Sequence, residues 1–191
     1  RCSRDNATNS GWDFNLNYDQ NFNIGTQAVR LGIDFAANRN EEASVTFVDD
    51  EGNVDFEDSS GNIYYPKWKA NLAMRAQVSD FRFTWVINYI GSTDQLPAYV
   101  DEWDEAITGA SNTCAGPPDD VFCRDYADTD DYWLHSTSLY WYGDTWTLGA
   151  GIRNVFDERP PYVDSTEYTS INRVPIGAGY DLFGRVYFLN L

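Results

Sequence analysis

Phe81-Arg82-Phe83-Thr84-Trp85-Val86-Ile87-Asn88-Tyr89 alternates with a period of two: Phe, Phe, Trp, Ile and Tyr at odd positions, Arg, Thr, Val and Asn at even ones. Successive side chains of a strand point to opposite faces, so this segment carries one continuously apolar face and one mostly polar face. Immediately upstream, Trp68, Ala70, Leu72, Met74, Ala76 and Val78 alternate with Lys67, Lys69, Asn71, Ala73, Arg75 and Gln77. Only Ser79-Asp80 separates the two runs, a spacing that predicts a tight hairpin.

The same pattern recurs outward from this hairpin. Trp12, Phe14, Leu16 and Tyr18 interleave with Asp13, Asn15 and Asn17, and Val29, Leu31, Ile33 and Phe35 with Arg30, Gly32 and Asp34. Trp146, Leu148, Ala150 and Ile152 interleave with Thr147, Gly149, Gly151 and Arg153. Residues 132–142 read as extended, but aromatics on both faces leave the outward face open. A last run covers about 180–191. The pattern predicts about seven strands of uniform length, each near the ~9–11 residues that cross a bilayer when tilted.

Connections alternate in length. Short ones fall near 19–25, 79–80 and 143–144; long ones run about 47–66, 92–131 and 155–179. Short turns at one end and long loops at the other are the habit of outer-membrane barrels, whose long loops face the medium. Charge divides the same way. Of 30 acidic residues, 21 lie in the three long loops, so negative charge gathers at one end. Arg30, Lys67, Lys69, Arg75, Arg82 and Arg153 fall instead on the polar strand face and are expected to line an interior.

Composition narrows the function. With 13 Lys+Arg against 30 Asp+Glu the formal charge is −17, which argues against nucleic acid, since a phosphate backbone is bound by neutralising it. Aromatics make up 16% of the chain, more than a disordered segment carries. No apolar run approaches the ~20 residues of a membrane-crossing helix, but barrels hide their hydrophobicity in alternation. A half-buried sheet of a soluble sandwich alternates too. Loop sorting, strand length and the Tyr and Trp near strand ends favour the barrel. Seven strands fall short of the even number, eight or more, found in bacterial single-chain barrels, so the chain is expected to be part of a larger one.

No catalytic constellation is present. The single histidine, His135, lies inside a strand and reads as a packing or interior residue, and no nucleophile motif accompanies it. The acidic runs Asp49-Asp50-Glu51-Gly52-Asn53 and Asp128-Thr129-Asp130-Asp131 could offer calcium ligands. The EF-hand spacing fails, however, because Phe47 stands where an acid is needed, and solvated loops are the better reading. No metal and no cofactor is expected. In the second long loop, Tyr99, Asp101, Glu102, Trp103 and Asp104 combine rings with carboxylates, a mixture suited to a sugar or a cationic ligand. Cys114 and Cys123 flank Gly116-Pro117-Pro118 at a spacing suited to a loop-closing disulfide, leaving Cys2 over.

Gly149-Ala150-Gly151-Ile152-Arg153-Asn154-Val155-Phe156-Asp157, Pro160-Pro161, and the run from Gly179-Tyr180-Asp181 through Gly184-Arg185-Val186-Tyr187-Phe188-Leu189 resemble the closing strands of TonB-dependent outer-membrane receptors. Pro66-Lys67-Trp68-Lys69-Ala70-Asn71-Leu72 through Tyr89-Ile90-Gly91-Ser92 is similar to an earlier hairpin of that family. The resemblance implies an antiparallel transmembrane β-barrel of 22 strands, of which residues 1–191 supply about the last seven, without the plug domain or earlier strands. It implies a transporter, not an enzyme, which imports a scarce nutrient such as a siderophore or oligosaccharide with TonB-derived energy. Its partners would be outer-membrane lipid, the TonB complex through the missing plug, and a small-molecule nutrient ligand. The long loops would be extracellular and Leu191 periplasmic. Family members usually run on to a final aromatic, so a tail beyond Leu191 is expected. The alternative of another class is a secreted β-sandwich that binds carbohydrate, with or without calcium.

Overall fold

The computed structural model describes residues 6–48, 52–94, 128–163 and 168–191. Within them the chain is all-β, with antiparallel sheets and no helix. No helix is therefore long and apolar enough to cross a membrane, which leaves the strands to be judged.

Seven strands form one meandering sheet: β1 (Asn6–Ile24), β2 (Gln27–Val48), β4 (Trp68–Val78), β5 (Phe81–Ile90), β8 (Tyr132–Tyr142), β9 (Thr147–Arg153) and β12 (Val186–Asn190), in that spatial order. β3 (Val54–Asp58) pairs with the far end of β2. Two small hairpin-like pairs lie apart, β6 (Thr93–Asp94) with β7 (Asp128–Thr129) and β10 (Ser170–Ile171) with β11 (Val174–Pro175). The sheet is open, and β1 and β12 are its edges.

Two of the short connections differ from expectation: β1 continues through 19–24 so that only Gly25-Thr26 turn, and the connection expected at 143–144 spans 143–146. Turn chemistry explains the tight ones. Gly25 takes φ +61° between β1 and β2, and Ser79 takes φ +50° between β4 and β5, the left-handed backbone that two-residue hairpins need. Asn172 and Arg173 do the same between β10 and β11. These turns set the register: Asn71 faces Asn88 across one hairpin and Asn15 faces Ala36 across the other.

Strand length departs from the uniform expectation. β1 and β2 run for 19 and 22 residues, against 7 for β9 and 5 for β12. The long pair continues past a bulge at Ser10/Gly11, and β3 lends its outer half of β2 a further partner. Asn40, Glu41, Glu42 and Ser44 break the alternation there, which hides the extension.

The register resolves both faces. Phe81, Phe83, Trp85, Ile87 and Tyr89 of β5 face Trp141, Leu139, Thr137, His135 and Trp133 of β8, so these β8 residues join the apolar face. No described residue covers it: Trp12 is 63% exposed, Phe83 42%, Trp133 48% and Leu139 49%, and Ile33, Leu72 and Trp85 are only partly buried. Its loop-side end carries Trp12, Phe14, Trp68, Tyr89 and Trp133, and its turn-side end Phe22, Phe81 and Trp141.

Burial concentrates on the opposite face near the loops. Ile63, Ile90, Tyr132, Leu134, Val163, Tyr168, Ala178 and Tyr180 form one cluster. Ile90, Tyr132 and Leu134 come from the polar face of β5 and β8, and the rest from connections folded over it. Ile63 and Val163 are wholly enclosed, each contributing about 1.5–3 kcal/mol of transfer free energy.

Candidate ligand cleft on the polar face of the sheet

Reading across β1, β2, β4, β5 and β8, the polar face is graded. Its loop-side rows run Asp13, Asn38, Lys69, Ile90, Tyr132 and then Asn15, Ala36, Asn71, Asn88, Leu134. Its turn-side rows contain Asp19, Gly32, Arg75, Thr84 and then Asn21, Arg30, Gln77, Arg82, Tyr140. Four amides, Asn15, Asn38, Asn71 and Asn88, thus stand in the loop-side rows against Asn21 and Gln77 in the turn-side ones, where Arg30, Arg75 and Arg82 gather. Arg30, Lys69, Arg75, Arg82 and Arg153 share this face, as the alternation had placed them; Lys67 lies just before β4.

The turn-side arginines are mostly paired. Arg30 Nη2 lies 2.9 Å from Asp19 Oδ2, and Arg75 is bridged to Asp34. Arg82 stands 5.1 Å from the centre of the Tyr142 ring and donates to Gln77 at 3.4 Å. The pairs are half exposed and count for orientation more than for stability.

The loop-side rows border a cleft of about 680 Å³ with Asp13, Asn15, Asn38, Lys69, Asn71, Asn88, Ser136 and Arg153 in its wall. It adjoins a smaller one of about 290 Å³ that shares Asp13, Asn38 and Lys69 and adds Asn9, Tyr64 and Tyr65. Asn71 Nδ2 donates to Asn88 Oδ1 at 2.7 Å, and Asn38 Nδ2 to Asp13 Oδ1 at 2.8 Å. Each contact fixes one amide and leaves neighbouring polar atoms facing the cleft.

Short loops hold the rim. Asn62 Oδ1 accepts from the backbone N–H of Tyr64 and of Tyr65, both at 3.0 Å, which sets the two rings at the mouth. Tyr64 packs on Tyr168 with centroids 5.6 Å apart. The N–H of Ser60 donates to Asp58 Oδ1 at 2.9 Å and holds that carboxyl below the ordinary carboxylate range. At the other side of the mouth Asp181 is wholly enclosed; its Oδ1 takes Arg153 Nη2 and the Phe183 N–H, each at 3.1 Å, while Oδ2 has no partner among the described residues. Burial pushes the Tyr180 hydroxyl above its ordinary value. That hydroxyl lies beside Thr93 and Thr129, whose own oxygens are 2.8 Å apart, without a well-formed hydrogen bond to either.

The closing motif is a lock. Asn154, wholly buried with φ +55°, trades two hydrogen bonds with the Glu158 backbone at 2.7 and 2.8 Å. Asp157 Oδ1 accepts from the Arg185 N–H at 2.9 Å, tying the end of β9 to the approach of β12.

The ligand residues expected from the sequence, Tyr99, Asp101, Glu102, Trp103 and Asp104, and the disulfide pair Cys114 and Cys123, lie outside the described residues. So do Cys2 and Asp49-Asp50-Glu51. Asp128 and Thr129 form β7, and no cluster of three or more metal-binding side chains occurs among the described residues. His135 is on the apolar face, where its Nδ1 accepts from Trp85 Nε1 at 3.2 Å. The asparagine rows escaped the sequence reading. Alternation put Asn15, Asn71 and Asn88 on the polar face, but Asn38 lies past the run that ends at Phe35, and β2 and β4 are joined by a long connection, so no turn aligned Asn15 and Asn38 with Asn71 and Asn88. Compared with family models, characterised proteins and solved structures, the chain matches none.

Proposed function

We propose that the chain is the C-terminal part of a TonB-dependent receptor barrel in the outer membrane of a Gram-negative bacterium, importing a scarce nutrient as a transporter and not as an enzyme. One observation carries this reading: an apolar face continuous across seven strands, left uncovered by the described residues, backed by a face bearing the arginines and amides. Exposed apolar patches of that extent need a cover, and a hydrocarbon layer supplies one without a second sheet. Trp12 and Phe22 lie ten residues apart on β1, a span of roughly 24 Å along the membrane normal at a tilt near 45°, matching an apolar band of about 25 Å. Tyr89 supports the same boundary, since its ring is on the apolar face while its hydroxyl reaches Asp131 at 3.1 Å.

The open edges support the larger assembly. Unpaired ladder groups of β1 and β12 in lipid would each cost several kcal/mol, so further strands close the sheet. The graded polar face then lines a lumen, with ligand entering from the loop side and the arginines nearer the periplasm, where a plug driven by TonB would sit. A carbohydrate-binding sandwich would enclose Phe83, Trp85, Leu72 and Ile33, and their openness favours the barrel.

The test uses the full-length protein in vesicles. Brominated acyl chains should quench tryptophan emission, and Trp85→Phe with Trp133→Phe should remove much of the quenched signal. A detergent-free soluble monomer with unquenched tryptophans would end the transport reading.

A further inference from the structure

We infer that the loop-side cleft takes a neutral, polyhydroxylated ligand, an oligosaccharide, and that Asn15, Asn38, Asn71, Asn88 and Tyr65 are its binding residues. This rests on the lumenal reading of the polar face and adds the substrate class. Three observations carry it.

First, the cleft has little net charge: its charged lining residues are Asp13, Lys69 and Arg153, and Arg153 is paired with the enclosed Asp181 behind it. An anionic metal chelate would find no net positive field there; the guanidinium groups of Arg30, Arg75 and Arg82 cluster at the other end, in a separate hollow. Second, the amides are presented in the way a sugar is read. The Asn71–Asn88 bond leaves Asn71 Oδ1 as an acceptor and Asn88 Nδ2 as a donor on neighbouring side chains, a set that complements two hydroxyls, each both donor and acceptor. Asn15, in the same register row, is exposed and has no hydrogen-bond partner among the described residues. Third, the mouth carries Tyr65, 47% exposed, on a loop braced by Asn62. A rigid ring at the entrance offers the flat apolar surface on which the C–H face of a sugar ring packs. The amides run from Asn9 at the mouth to Asn88 within, so the site extends over several sugar units.

The test is calorimetry on the full-length protein in a zwitterionic detergent with no sugar headgroup. The probes are maltohexaose, cellohexaose, xylohexaose and mannohexaose, with an iron(III) tris-catecholate as the anionic arm. At least one hexasaccharide is expected to bind, and Asn15→Ala and Tyr65→Ala are each expected to weaken it about tenfold. Both positions are exposed, so these variants should fold; a heat-dependent shift in gel mobility checks each. The proposal is overturned if no hexasaccharide binds, if only the catecholate binds, or if both variants bind unchanged. Outer-membrane fractionation separates the two layers: a protein found there that ignores all four glycans refutes the ligand class alone, and one found in the soluble fraction refutes the lumenal reading beneath it.

Discussion

His135 illustrates how a polar side chain survives on an apolar face. Its Nδ1 accepts from the Trp85 indole N–H, and edge contacts with Trp85 and Phe156 at 5.9 and 5.0 Å hold the ring. His135→Leu would leave the indole N–H without a partner in a site with little water, at a cost of about 1–3 kcal/mol. Adding Trp85→Phe removes the orphan and should restore most of that loss in urea unfolding of the full-length protein in vesicles. Tyr180 sets a pH limit on the loops. Its hydroxyl titrates above the ordinary tyrosine value because it is buried, so the folded loops favour the neutral form. Their stability is whole below about pH 10 and declines as pH rises through the raised value. Protease cleavage between residues 168 and 185 should accelerate above about pH 10, and Tyr180→Phe should flatten that rise.

At the scale of elements, β9 works because two of its residues lack side chains. A methyl group at Gly149 would run into the Tyr140 ring, and one at Gly151 into the Phe188 ring and the Thr137 carbonyl. The glycines let these rings lie across the strand from β8 and β12, so the sheet keeps its pairing where β9 is short. Gly151→Ala should cost about 1–3 kcal/mol as overpacking and weaken the β9–β12 ladder. Gly149→Ala should cost less, because the Tyr140 ring can swing while a backbone carbonyl cannot. The measurement is the urea midpoint of each variant, with hydrogen exchange at Val186–Asn190 as the local readout. Before any fold was in view, Gly149 and Gly151 were legible as polar-face positions. Their contacts were not, because both depend on the register of β9 against two neighbours.

For the whole molecule the question is which face meets hydrocarbon. Leu72 and Ala73 are adjacent on β4 and point to opposite faces. Leu72→Lys should destabilise the protein by about 2–4 kcal/mol in a bilayer, with Ala73→Lys nearly neutral. Equal costs for both, or a larger cost at Ala73, would mean that the apolar face packs on protein. The contrast needs no knowledge of the ligand.

Alternation by itself determined the strands at the centre of the sheet, the two faces of β4 and β5, and the tight hairpin at Ser79-Asp80. These are local consequences of side-chain period and turn geometry, and both are written into neighbouring residues. Alternation could not choose a face for Tyr132–Tyr142, where both faces carry rings; pairing with β5 chose it. Nor could it show the reach of β1 and β2 beyond the apolar band, because the polar residues there pair through their backbones. The asparagine cleft depended on the tertiary structure most of all. Its walls come from strands separated by long loops, and only hydrogen-bonded register across those loops brings Asn15, Asn38, Asn71 and Asn88 to one place.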